Sequence, residues 1–175
     1  MRFALCLLWI IVCASGFAQG LVREKLAQTY LAQVGIREAT GHNDGIDVET
    51  YLRSVKAKRG QAWCAAFVSY CLQQAAIAHP KSAWSPALFP QRNTVFVRGK
   101  PSAYMPQQGD VFGLYYNNLG RIGHVGFIHR WNGNDKFVTT VEGNTNEAHA
   151  REGDGVYFKK RPKRQLYKIA NFLDK

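Results

Sequence analysis

An α+β fold, with helices first and an antiparallel sheet second, is predicted by three observations in the sequence. Apolar residues recur at three- and four-residue intervals in the first half, and strand-like runs bounded by Gly, Asn and Asp fill the second half. The join between the two falls on a proline-rich stretch, and this order of elements defines an α+β layout. At 175 residues the chain has room for one domain. Its 46% hydrophobic and 13% aromatic content is that of a chain able to bury a core.

The elements follow in order. Arg2 supplies a positive start, Leu5 to Val12 an apolar run, and Gly16-Phe17-Ala18 a small-x-small cleavage site. Residues 1–18 are therefore expected to be a signal peptide, with a single domain over 19–175. The apolar run is shorter than the roughly 20 residues a membrane span needs, so no transmembrane segment is expected in the mature chain. Cys13 is preceded by Val12 rather than by a small residue, which argues against lipidation. Val22, Leu26 and Tyr30, together with Ala27, Leu31 and Val34, predict a first helix closed by Gly35. After the loop Gly41 to Gly45, Asp47 is expected to cap a second helix bearing Val48, Tyr51, Leu52 and Val55 on one face, ended by Arg59-Gly60. Ala62 to Ala78 contains neither Gly nor Pro and predicts a third helix, buried on most sides and stopped at His79-Pro80.

Five of the 6 prolines lie between Pro80 and Pro106, among Trp84, Phe89 and Tyr104. This composition predicts a stiff, irregular segment, part of which walls a groove. Strands are then predicted at Asp110 to Tyr116, Ile122 to Trp131, Phe137 to Glu142 and Val156 to Lys160. The turns at Asn117 to Gly120 and Asn132 to Asp135 join them as a meander. The third helix is expected to pack on a C-terminal antiparallel sheet of about four to six strands.

Two cysteines, Cys64 and Cys71, remain once the leader with Cys6 and Cys13 is removed. On one helix, seven residues at 1.5 Å rise separate them by about 10 Å, beyond the roughly 7 Å span of a disulfide. Cys64 lies at the helix start, where the positive end of the helix dipole and unpaired N–H groups favour thiolate. That is the form that attacks a carbonyl, and the same N–H groups suit an oxyanion. Cys71, between Tyr70 and Leu72, reads as core. Of five histidines, His124 is the best placed to move protons for Cys64, because it lies in a strand between Gly123 and Gly126. His129 falls on the opposite face, and His42, His79 and His149 read as surface residues. The end of the following strand carries Glu142 and Asn144, two residues apart and expected on one side, so either suits the second ring nitrogen of His124.

WCAAFVSYCL, GDVFGLYY, GHVGFIHR and VEGNTN, in this order, resemble the CHAP family of cysteine, histidine-dependent amidohydrolases and peptidases. The resemblance runs from about Leu21 to Arg161. It implies a papain-like fold and hydrolysis of amide bonds in peptidoglycan, with Cys64 as nucleophile, His124 as base, Glu142 orienting the imidazole and Asn144 as a supporting or alternative third member. Trp63 resembles a substrate-cleft residue, with packing of the helix start as the alternative. Some relatives bind calcium, but Asn43, Asp44, Asp47 and Glu49 do not have EF-hand spacing, and no Cys/His spacing suggests zinc. No metal and no cofactor is expected.

The formal net charge is +11, which favours anionic partners. With export, to the periplasm or beyond the cell, the expected partners are peptidoglycan and acidic envelope polymers rather than nucleic acid, and a monomer is expected. The basic tail KKRPKRQLYK reads either as a contact for such a polymer or as a solvated strand and short helix. Two rivals stand beside the peptidoglycan hydrolase. One is a non-catalytic polyanion-binding module of the same fold, and the other is the same machinery acting on proteins as a peptidase or acyltransferase.

Overall fold

Burial of the helical stripes and of alternate strand positions organises the chain into the expected two layers. The computed structural model describes residues 19–146 and 153–174; the proposed signal segment and His149 lie outside them. Helix α1 (residues 19–31) buries Leu26, Ala27 and Tyr30 completely. A turn then carries the chain to Gly35, at φ 93°, whose N–H donates to the Val156 carbonyl at 3.0 Å. Helix α2 (Ile46–Ser54) buries Val48, Tyr51 and Leu52. Its N-cap is Gly45 and not Asp47. The helix begins two residues earlier than expected, so Asp47 falls in its first turn, where a carboxylate favours the positive end of the dipole.

Helix α3 (Cys64–Gln74) is shorter at both ends than the expected Ala62 to Ala78. Trp63 takes the N-cap position, its backbone N–H donating to Asn144 Oδ1 at 3.2 Å. At the other end Ala76 turns left-handed at φ 60°. Ile77 N–H bonds back to Leu72 O and Ala76 N–H to Gln73 O, the paired bonds of a Schellman ending. The helix is apolar on nearly every side, with Ala65, Ala66, Phe67, Val68, Cys71 and Leu72 all fully buried.

The sheet has six antiparallel strands in the order β1-β6-β2-β3-β4-β5. The expected meander is β2 (Val111–Tyr116), β3 (Arg121–Arg130), β4 (Phe137–Thr145) and β5 (Gly155–Pro162). Two strands were not resolved in the four-strand reading. The edge strand β1 (Thr94–Val97) is half-buried at every position and so shows no alternation. The other, β6 (Leu166–Ala170), lies in the basic tail and returns to pair with β2. Its buried Leu166, Ile169 and Ala170 show that the tail is part of the sheet and carries no α-helix, only a 3₁₀ turn at Lys163–Gln165.

One core joins the helices to Val111, Val125, Phe127 and Val141 of the sheet. A smaller cluster of Phe112, Leu114, Ile128, Val138, Leu166 and Ile169 lies apart from it. The arrangement is α+β and compatible with a papain-like fold. No helix among the described residues is long and apolar enough to cross a membrane.

Candidate active site

Cys64 is the first residue of α3, which packs against β3 and β4. First-turn N–H groups have no carbonyl four residues back within the helix, so the backbone around the thiol keeps unused donors. The thiol is 5% exposed. It forms the floor of a cleft of about 310 Å³ walled by Gln61, Ala83, Trp84, Ser85 and Arg121. The proline-rich segment therefore does wall a groove. Ser85, which the sequence reading passed over, approaches Cys64 Sγ with its hydroxyl at 3.5 Å.

His124 stands on β3 opposite Leu114, beside a register shift between Leu114 and Tyr115. Such irregularities re-aim side chains. Its Nε2 lies 2.7 Å from Glu142 Oε2. The imidazole also acts on the Cys64 thiol electrostatically, and with Nε2 engaged by Glu142, Nδ1 is the nitrogen left to serve the sulfur. Gly126 is what lets the carboxylate in. A Cβ there would stand 2.8 Å from the Val141 carbonyl and 2.9 Å from Glu142 Cγ. The small residues flanking His124 thus admit neighbouring protein groups to close approach.

Glu142 is wholly buried, and both oxygens are saturated. Besides His124, the Thr140 hydroxyl donates to Oε1 at 2.5 Å. The Arg161 guanidinium grips the carboxylate in a fork, with Nε to Oε1 at 2.8 Å and Nη2 to Oε2 at 2.5 Å. Arg161 and Thr140 were not singled out from sequence. The signal available was the pairing of β4 with β5, which sets the basic run opposite Val138 to Thr140, with Arg161 opposite Val138 on the strand face that Thr140 and Glu142 share.

The charges interlock. Burial opposes ionisation of Cys64, but the hydrogen bond and charge of His124, the Ser85 hydroxyl and the Val125 N–H outweigh it and hold the thiol below its ordinary value. Burial likewise disfavours imidazolium, yet the bonds to Cys64 and Glu142 raise His124 to about 9. Glu142 resists the upward push of burial because Arg161 and His124 hold it well below the carboxylate range. The favoured state is a thiolate–imidazolium pair backed by a carboxylate–guanidinium pair. Cys71, by contrast, is buried with no compensating partner, and burial pushes its thiol well up.

Asn144 does not join this group. It adopts φ 55°, and the register shifts between Glu142 and Thr145, so the period of two that put both residues on one side is broken. Its side chain instead accepts from Trp63 N–H and donates to Asn43 Oδ1 at 2.9 Å. Trp63 is not a cleft residue either. It is 0% exposed, packs against Tyr51 and Phe67, and donates its indole N–H to Glu38 at 2.8 Å. Packing describes it, and the aromatic residue in the cleft is Trp84, 51% exposed. His129 pairs with Tyr30 Oη on the helix side at 3.1 Å.

The acidic loop residues are likewise engaged. Asp44 accepts from Thr40 and Arg59, and Glu49 pairs with Arg59. Among the described residues no group of three His, Cys, Asp or Glu side chains is arranged to hold a metal ion.

A helix-terminal thiol, an imidazole and a buried carboxylate in series on an α+β scaffold define the class of papain-like thiol hydrolases. The CHAP domain model matches residues 56–144, just over half of the chain. The protein belongs to the CHAP family, the cysteine, histidine-dependent amidohydrolases and peptidases. Cys64, His124 and Glu142 fall inside the matched segment, and Arg161 falls outside it. Comparison with curated proteins and with solved structures returns no match.

Proposed function

We propose that this protein is an exported peptidoglycan hydrolase that cleaves an amide bond with Cys64 as nucleophile, His124 as general base and acid, and Glu142 as the group that orients the imidazole. The observation that carries the reading is the hydrogen-bonded series from His124 through Glu142 to Arg161, electrostatically coupled to the Cys64 thiol on the floor of an open cleft. The Cys64 thiolate attacks the amide carbonyl, and the charge that develops on oxygen is met by the free N–H groups of the helix start. His124 then passes the proton at Nδ1 to the leaving amine. Water, deprotonated by the same nitrogen, attacks the thioester and frees the acid and the thiolate. Throughout, Nε2–H stays on Glu142, which keeps one tautomer and one ring orientation.

The signal-like sequence pattern of residues 1–18 and the +11 charge support action outside the membrane on an anionic polymer. A binding module needs none of Cys64, His124 and Glu142, and the His124–Glu142 bond coupled to the Cys64 thiol weighs against that rival. The scissile bond belongs to the class between the muramyl lactyl group and the first alanine, or within the peptide stem or cross-bridge.

Incubation of purified peptidoglycan with the protein is expected to release new amino groups, with the new termini identified by mass spectrometry of the soluble fragments. Salt-sensitive binding to the wall without any new amine would sink the hydrolytic reading and favour the binding module.

A further inference from the structure

The cleft beside Cys64 carries a charge that the reaction just described does not use. Arg121, the first residue of β3, lies in the cleft wall with its guanidinium carbon 4.0 Å from the centre of the Trp84 ring. One donor, Nη1, goes to the Ile122 carbonyl at 2.9 Å. Arg23, Arg37, Arg59 and Arg161 each hold a carboxylate. Among the described residues no carboxylate pairs with Arg121, and none lines the cleft. The cation–π contact with the indole holds the guanidinium in the cleft wall, and the Nη1 bond limits its rotation, while its other donors have no carboxylate partner among the described residues. A planar fork held in advance is the arrangement that binds a carboxylate with two parallel hydrogen bonds, and little side-chain freedom is lost on binding.

We propose that Arg121, held over the Trp84 ring, anchors a carboxylate of the peptide substrate flanking the scissile amide, so that the site selects stems with a free carboxylate over stems in which it is amidated. This inference rests on the hydrolytic reading above and names its substrate class more closely. A carboxylate is favoured over the phosphate of an envelope polymer because the cation shares one cleft of about 310 Å³ with the nucleophile. A group bound there belongs to the molecule being cut. Trp84 has a part in the same contact, since its exposed ring backs the guanidinium.

The test uses the full chain and two sets of disaccharide-peptide muropeptides, one with free stem carboxylates and one with the same groups converted to carboxamides. For wild type, kcat/KM is expected to favour the free form by about 10- to 100-fold, the range of a charge-assisted contact. In Arg121→Gln that ratio collapses to about one, Arg121→Lys keeps part of it, and Trp84→Leu loses part of it. Equal losses on both forms in Arg121→Gln, with the ratio unchanged, would overturn the inference and mark Arg121 as a support of the fold or of the developing oxyanion. So would a wild type without preference. Binding of both sets to Cys64→Ala protein, measured by calorimetry, separates this from failure of hydrolysis itself. If wild type cuts neither form, the hydrolytic reading fails. The carboxylate site then stands if discrimination in binding disappears in the Cys64→Ala/Arg121→Gln protein, and it falls if both forms bind alike.

Discussion

A Cys64→Ala protein is expected to release no amines from purified peptidoglycan above background, a loss of about 10⁴-fold or more in turnover, while melting within a few degrees of wild type. The loss is large because no neighbour can replace the thiol. Ser85 comes within 3.5 Å of Sγ, but its hydroxyl is a far weaker nucleophile at neutral pH. Cys71 is fully buried with its thiol pushed well up. Stability is expected to change little because the substitution removes one sulfur atom at the edge of a cleft. Cys64→Ser serves as the companion variant, keeping a hydrogen-bonding group opposite His124 without the ready ionisation of sulfur. Amine release and thermal melting on the same samples check both halves of the expectation.

The second large effect is expected at Arg161. Glu142 is wholly buried and ionised, and Arg161 joins it by two charge-assisted bonds. Removing one partner of a buried pair leaves an uncompensated charge. Arg161→Met is expected to cost about 3 kcal/mol, at the low end for such pairs because Thr140 and His124 still hold the carboxylate. For a domain of this size that lowers Tm by roughly 6–12 °C.

The pH dependence gives a readout that loss of packing alone does not move. Glu142 has a folded pKa below its unfolded one, so its stabilisation is present above the unfolded value, near 4.3, and is lost as pH falls through the folded value. Without Arg161 the folded pKa rises, and the acid limb of the stability curve flattens. His124 behaves in the opposite sense. Raised to about 9, it contributes fully below its unfolded value and loses that contribution as pH rises through about 9. Arg161→Lys keeps the charge but not the fork and is expected to fall between the two proteins. Thermal melts of all three from pH 3 to pH 7 provide the comparison.

How much of this was legible in the sequence varies residue by residue. Cys64, His124 and Glu142 each carried a local signal: a thiol at the start of an apolar helix, a histidine between glycines in a strand, an acid at the end of the next strand. The family resemblance then put the three in one order. Asn144 was misread because strand alternation assumes an unbroken period, and the left-handed turn at that residue breaks it. Trp63 and Trp84 could not be sorted by composition. Which indole faces solvent depends on how Glu38 reaches across to one of them and how the segment Ser85–Leu88 carries the other over the cleft.

Arg161 was invisible for a different reason. It sits in a run of five basic residues between Lys159 and Arg164, and only the fold distinguishes the one that reaches Glu142. The strands β1 and β6 were missed at the two ends of the sheet. The first is too short for alternation, and the second has buried positions set among Lys and Tyr. The helix ends shifted where long-range bonds intervened, as Asn144 does at the N-terminus of α3.

The central claim is that the fold holds Cys64 and His124 as a thiolate–imidazolium pair. Its most direct test is the rate of iodoacetamide alkylation at Cys64 against pH, resolved by peptide mass spectrometry so that Cys6, Cys13 and Cys71 do not contribute. In wild type the inflection for Cys64 is expected below the ordinary thiol value of about 8.5, and in His124→Ala it is expected to move up to that value or above it. An ordinary inflection in wild type, or the same curve in both proteins, would contradict the account.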